Sequence, residues 1–217
     1  MDYPRLYEYR HRHVDQEKRA AVWRPISNYV YEQLGRPEKV LDPAAGLCEF
    51  INAIPAKERW AIDFEEHSDS KLDEGVKLVV ADALSVELPA NHFDGVFISN
   101  FLEHLPTQEA ISVLLANMYG AMAPGGRIAI MGPNIRYCAH EYWDFADHIL
   151  ALTHRAVEEH LYAAGFEPTR SIPRFLPYSF GGALPASEGL TSLYLKLPLA
   201  WRFFGRQFLV FAERPAR

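Results

Sequence analysis

Between His140 and His148 the chain places His140, Glu141, Tyr142, Trp143, Asp144, Asp147 and His148 within nine residues. A loop that only joins two elements does not need so many proton-accepting and aromatic groups. Imidazoles and carboxylates at this density can take a proton from a hydroxyl or hold a divalent ion. A second pair, Glu103–His104, lies upstream; on a helix its two side chains would point about 100° apart. His154 adds one more imidazole, so the candidate bases are His104, His140, His148 and His154. A third set is of another kind: Asp42, Asp63, Asp82 and Asn100 each close a short apolar run.

Those runs are the elements that must position the chemistry. In KVLDPAAGLCEF, Lys39 to Phe50, a buried strand at Val40–Leu41 runs through Asp42 into a tight turn. Ala44, Ala45 and Gly46 are small enough for a ligand to approach the backbone, and Gly46 adopts positive φ at little cost. A helix is expected from about Glu49. Trp60–Asp63, Leu78–Asp82 and Phe93–Asn100 read as strands two to four. From Thr107 to about Ala123, Ile111, Leu114, Leu115 and Met118 share a helix face, with Pro124–Gly125–Gly126 as its stop. Arg127–Met131 reads as strand five, broken by Gly132–Pro133. Thr153 is the expected N-cap of a helix to Ala164 that Gly165 ends. Strand six starts at Phe166 and the last strand spans Gln207–Glu213.

Strands alternating with helices predict an α/β, Rossmann-like, doubly wound and mostly parallel seven-stranded sheet. Residues 1–35 form an N-terminal helical arm, rich in Tyr, Arg and His and interrupted at Pro25. Residues 36–217 form one domain, with a lid insertion over 175–206. The arm either packs on the sheet edge or covers a ligand. Ligands of such sheets bind outside the carboxyl ends of the strands, where the acids and the small-residue turn converge. A carboxylate at Asp63 can accept both hydroxyls of a ribose, an arrangement that serves several nucleotide cofactors. The acids Glu65, Glu66, Asp69, Asp73 and Glu74 read as a solvated face.

The balance of residues narrows the class further. With 49% hydrophobic and 23% charged among 217 residues, the chain can bury an ample core. A net charge of −6 argues against a nucleic-acid partner, which requires a basic face. Two cysteines, Cys48 and Cys138, make no disulfide framework. With no apolar signal core near the start, a cytoplasmic location is expected. No apolar run is long enough to span a bilayer. In the 175–206 insertion, Leu193, Leu195, Leu197, Trp201, Phe203 and Phe204 stand among Lys196, Arg202 and Arg206. A lid with a buried apolar side, a homodimer contact and a peripheral membrane contact are the three readings, in that order.

Taken in order, the acid with its small-residue turn, the acid after strand two, Asp82–Ala83, FDGVFISNFLEHL and APGGRIAIM resemble class I S-adenosylmethionine (SAM) dependent methyltransferases. The resemblance implies SAM as cofactor, held by Asp42, Ala44, Gly46, Asp63, Phe64, Asp82, Ala83, Asn100 and Phe101. It places Asp82 and Ala83 at the adenine, although an N-cap role for Asp82 is the structural alternative. The family pattern has glycine where this chain has Ala44 and Cys48. Glu103–His104 and Asp147–His148 resemble metal-binding segments of RNA 3′-end and ubiquinone-pathway O-methyltransferases, with Asn100 in place of the first acid. That likeness implies a divalent metal, Mg²⁺ or Mn²⁺, on Glu103, His104 and His148. The metal-free alternative makes His104 or His148 the base.

PNIRY, EYWDF, RFLPYS and YLKLPLAWRFFG resemble a bacterial subgroup found with polysaccharide assembly enzymes. This implies O-methylation of a sugar or glycan hydroxyl, with His140, Tyr142, Trp143 and Asp144 on the substrate. Other acceptors, such as a quinone, a natural product or an amine, remain open. So do a non-catalytic binding protein on the same fold and an NAD-dependent oxidoreductase.

Overall fold

The structure is a computed structural model that describes residues 2–12, 15–64, 72–178 and 187–216. Five strands run parallel: β1 (Lys39–Asp42), β2 (Glu58–Asp63), β3 (Val76–Val80), β4 (Phe93–Ser99) and β5 (Met122–Pro133). β7 (Gln207–Glu213) lies antiparallel between β5 and β6 (Glu167–Ile172), giving one sheet in the order β3-β2-β1-β4-β5-β7-β6. This is the expected doubly wound architecture. β1 and β4 are neighbours although β2 and β3 intervene in sequence, and it is at such a reversal, at the carboxyl edge, that open α/β sheets hold their ligands.

The strands divide their side chains between two cores, as a period of two requires. On one face Phe97 and Ala129 meet α2 (Gln16–Gln33) through Ile26 and Val30, and α3 (Glu49–Ala53) through Phe50. On the other face Val96, Ile98, Ile128 and Ile130 meet α4 (Gln108–Ala121) through Ile111, Leu114, Leu115 and Met118. They also meet α6 (His154–Ala163) through Val157 and Leu161. The expected helix face is thus the buried face. Thr107 and Thr153 cap α4 and α6, accepting N–H bonds from Ala110 and Ala156 at 3.2 Å each.

Prolines account for most departures from the expected boundaries. α2 continues through Pro25, which is tolerated because Val22, Trp23, Ile26 and Val30 on the same helix are buried. α4 ends at Ala121, and the Pro124–Gly126 segment belongs to the irregular start of β5, where pairing with β4 shifts register between Phe93 and Gly95. There Gly126 is required, because a Cβ would stand 2.8 Å from the Ala123 carbonyl oxygen. Gly132 and Pro133 do not break β5; they pair with Phe208 and Gln207 of β7. Pro133 lies beyond the last residue paired with β4, so its missing N–H costs that ladder nothing.

The N-terminal arm comprises α1 (Tyr3–His11) and α2. Between β6 and β7 the insertion folds as α7 (Glu188–Leu195) and α8 (Pro198–Phe204), and the Arg24–Glu188 ion pair ties α7 to α2. Leu195 and Trp201 turn inward, whereas Leu193, Leu197, Leu199, Phe203 and Phe204 are exposed. The acids Glu65, Glu66 and Asp69 lie outside the described residues; Asp73 and Glu74 are exposed. No helix among the described residues is long and apolar enough to cross a membrane.

Candidate active site

The turn after β1 is laced to β2 by its backbone. Ala45 N–H donates to the Ile62 carbonyl at 3.0 Å, and Gly46 N–H to Asp63 Oδ2 at 2.8 Å. Gly46 has φ +52°, and nothing stands within 4 Å of where its Cβ would be, so the space beside the turn is open. Cys48 occupies a left-handed conformation, φ +62°, which a glycine would take freely and a side chain resists by about 1–2 kcal/mol. Its side chain is fully buried, with the thiol 3.7 Å from the Gly46 carbonyl oxygen. Asp42 is buried and accepts the Ala44 N–H at 3.2 Å. Burial pushes its carboxyl up to about 7, helped by the nearby Asp63 and Glu49 charges and opposed by the Ala44 N–H. Arg19 of α2 pairs with Glu49 at the start of α3.

Along the same edge, Asp63 is half-buried and Phe64 is 64% exposed. Asp82 accepts Leu84 N–H on its carboxylate at 2.8 Å, so it does cap a turn. Ala83 is buried, and its carbonyl accepts a bond from Asn117 at 3.4 Å. Asn100, at φ +48°, donates its N–H to the Met131 carbonyl at 2.8 Å; Phe101 is half-buried.

Glu103 and His104 lie on a single 3-10 turn, Leu102–His104, just past β4. The Glu103 carbonyl accepts N–H bonds from Ile149 at 2.8 Å and Leu150 at 3.1 Å. These two bonds bring the His140–His148 loop onto the end of β4. His104 Nδ1 is 3.0 Å from the Asp147 carbonyl oxygen and 3.3 Å from its Oδ2. With two acceptors there, Nδ1 is the nitrogen that carries a hydrogen, which makes Nε2 the nitrogen that exchanges a proton. Asp147 is buried, and Arg10 of α1 grips both its oxygens, Nη1 lying 3.1 Å from Oδ2, while also resting over the Phe145 ring. Burial works to raise the Asp147 carboxyl, but the Arg10 bonds and the His104 and Arg10 charges hold it below its ordinary value.

His148 stacks on Phe145 and sets its edge against His104, with ring centres 5.0 Å apart in each pair. Its Nδ1 is buried with no hydrogen-bond partner. Burial, and then the His104 charge, push its imidazole down to about 4, so it is neutral at pH 7. Burial pushes the Glu103 carboxyl up to about 7; Asp147 adds to this and His104 opposes it. Glu103, His104 and His148 can each bring one donor atom within 4.8 Å of the others.

The remaining candidates divide sharply. Trp143 is 55% exposed, and His140 and Asp144 are exposed. Tyr142, expected to stack on a substrate, is instead a core residue: it is wholly buried and donates its hydroxyl to the Leu150 carbonyl. No ring face is left open to a ligand. His154 is buried and its Nδ1 meets Asn134 Nδ2 at 3.0 Å, which makes it part of the scaffold. Cys138 is buried too, and burial pushes its thiol up to about 12. The sequence reading missed Arg10 as a partner of the site. The two residues stand 137 positions apart, and only the arm's run of Arg, Tyr and His hinted at a role.

Residues 36–130 match the family described as a methyltransferase domain. No curated protein matches the chain. Among solved structures, a SAM-dependent methyltransferase from Archaeoglobus fulgidus is similar at 20% identity and TM-score 0.66, over 98% of this chain and 100% of that one. The 1,6-didemethyltoxoflavin-N1-methyltransferase of Burkholderia thailandensis, solved with that substrate and S-adenosylhomocysteine, is 19% identical. Its TM-score is 0.61, over 99% of this chain and 89% of that one. The 4+2 cyclase SpnF shares the fold at 16% identity and TM-score 0.63, over 89% of this chain and 81% of that one. At these identities the likeness carries the fold, and the reaction class comes from the domain match. Residues 36–130 thus match a methyltransferase domain on a seven-stranded class I sheet, and the whole chain shares the fold of SAM-dependent methyltransferases.

Proposed function

We propose that the chain methylates a hydroxyl of a sugar- or glycan-type acceptor, with His104 as the base. The observation that carries this reading is the donation of His104 Nδ1–H to Asp147, which leaves Nε2 as a proton acceptor. SAM fits the carboxyl edge of the sheet: Gly46 borders open space, and a half-buried carboxylate, Asp63, stands beside it with an exposed ring at Phe64. Asp42, Ala44, Gly46, Asp63, Phe64, Asp82, Ala83, Asn100 and Phe101 would hold the cofactor. When bound, SAM supplies a methyl group already activated on its sulfonium.

The protein's task is to orient the acceptor and take its proton. An acceptor O–H gives its proton to His104 Nε2, and the buried Asp147 carboxylate balances the imidazolium that forms. The neutral His148, packed against Phe145 and Tyr142, sets an apolar ring beside His104. Trp143 offers an exposed ring for a sugar face, and His140 and Asp144 offer partners for its other hydroxyls. The likeness to polysaccharide-associated methyltransferases supports the same acceptor class. The test is methyl transfer from labelled SAM to a panel of glycans, amines and quinols. Labelled glycan is the expected product; labelled amine alone would overturn the reading.

A second reading has its own observation, the Glu103, His104 and His148 cluster with an unpartnered buried Nδ1 on His148. Two imidazoles and one carboxylate suit Mn²⁺, Fe²⁺ or Zn²⁺ better than Mg²⁺. An ion held there would supply Lewis acidity to the acceptor oxygen. Exhaustive chelation followed by metal add-back separates the two: activity that survives chelation ends the metal reading.

A further inference from the structure

Five of the twelve exposed large apolar side chains among the described residues lie between Leu193 and Phe204. Two helices that could have buried them do not. On α8, Trp201 turns into the core at 5% exposure, which aims the opposite side of the helix at solvent. Leu199 and Phe203, one turn apart, crown that side at 78% and 74% exposure. Arg202 flanks them on the same helix, Lys196 and Leu197 precede it, and all three are exposed. From Leu190 to Arg206 the chain carries Lys196, Arg202 and Arg206 and no acidic residue, within a protein of net charge −6. Arg206 is engaged by Glu141, whereas Lys196 and Arg202 form no ion pair among the described residues.

We infer that α8 and the turn before it dock on an anionic lipid surface. Apolar side chains on one side of a short helix, with cations at their rim, are the pattern of a segment that lies in a headgroup interface. The charge pattern also selects among occupants. A second copy meeting this patch about a two-fold axis would set Lys196 and Arg202 against the same cations. A lipid surface bearing phosphate meets them with opposite charge and receives Leu199 and Phe203 without needing a shaped pocket. The Arg206–Glu141 pair ties the chain two residues past α8 to the loop that carries Trp143 and Asp144, so docking would set that loop beside the membrane.

The test uses the full chain and sedimentation with vesicles of phosphatidylcholine, with and without about one-third phosphatidylglycerol. Binding is expected only to the anionic vesicles, weakening as salt is added. The double variant L199S/F203S should bind about tenfold more weakly or worse. K196Q/R202Q should lose about tenfold and most of the salt dependence. All four side chains are exposed, so the melting temperature and SAM affinity of both variants should stay at the wild-type values. Absence of binding, or binding that neither variant weakens, overturns the inference. So does a wild-type dimer in sedimentation velocity that L199S/F203S converts to monomer, since a second copy would then be the occupant.

Discussion

Asp147 governs His104 in two ways, through its backbone carbonyl and its carboxylate, so replacing either residue should slow methyl transfer while sparing the cofactor. His104→Ala is expected to lower kcat by about 10²–10⁴-fold with SAM affinity unchanged. Asp147→Asn keeps the carbonyl but removes the counter-charge, and a smaller fall in kcat is expected. Near-full turnover of His104→Ala would remove it as the base. The buried acids make a separate prediction about pH. Asp42 holds its proton up to about 7, above the value of 3.8 for a free side chain. The folded state therefore binds that proton more tightly than the unfolded chain. Its penalty is absent below the unfolded value, grows as pH rises and is complete above about 7, on the order of 4 kcal/mol. Asp42→Asn should melt higher than wild type at pH 8, with the gap closing toward pH 4. A gap independent of pH would contradict the buried, protonated Asp42. Asp147, held below its ordinary value, works the other way, and the stability it adds at neutral pH is lost as pH falls.

Elements bring these residues together through a few long-range ties. The loop after β5 reaches the turn after β4 by the two N–H bonds to the Glu103 carbonyl, and α1 reaches the same loop through Arg10. Removing Arg10 alone would strand a buried carboxylate. Arg10→Gln should therefore destabilise more than its half-buried position suggests, and a double-mutant cycle with Asp147→Asn should return a coupling of about 1.5–3 kcal/mol. Additive effects would mean that α1 does not clamp the loop. The other end of the insertion rests on a close backbone approach. A Cβ on Gly205 would stand 2.5 Å from the Arg174 backbone carbon and 2.6 Å from the Trp201 carbonyl oxygen. Gly205→Ala should cost about 1–3 kcal/mol in stability, since backbone must shift on both sides. An unchanged melting temperature would show that α8 is free to move.

Over the whole molecule, what could be read in advance follows from how local each signal is. Val40–Leu41 and Phe93–Ser99 announce themselves as buried strands because both faces are covered, and Thr107 and Thr153 announce helix starts because the caps are local bonds. Pro25 and Gly132–Pro133 misled because burial and strand pairing, which local rules do not register, outweigh a missing N–H. At the site, His104 and His148 were legible by type, and the structure sets their rings together. Tyr142 was not, since its side chain is turned inward by a bond to Leu150 that no spacing reveals. Arg10 was invisible as a partner of Asp147 because only the fold brings the two together.

The central claim is that the carboxyl edge of β1 and β2 holds the cofactor, with Asp63 as the carboxylate for its ribose. Titration calorimetry of S-adenosylhomocysteine into wild type and Asp63→Ala tests it most directly. The account predicts one-site binding by wild type and a loss of about 10²-fold or more in the variant, as expected when two charge-assisted hydrogen bonds go. No binding by wild type, or equal affinity in the two proteins, would contradict it.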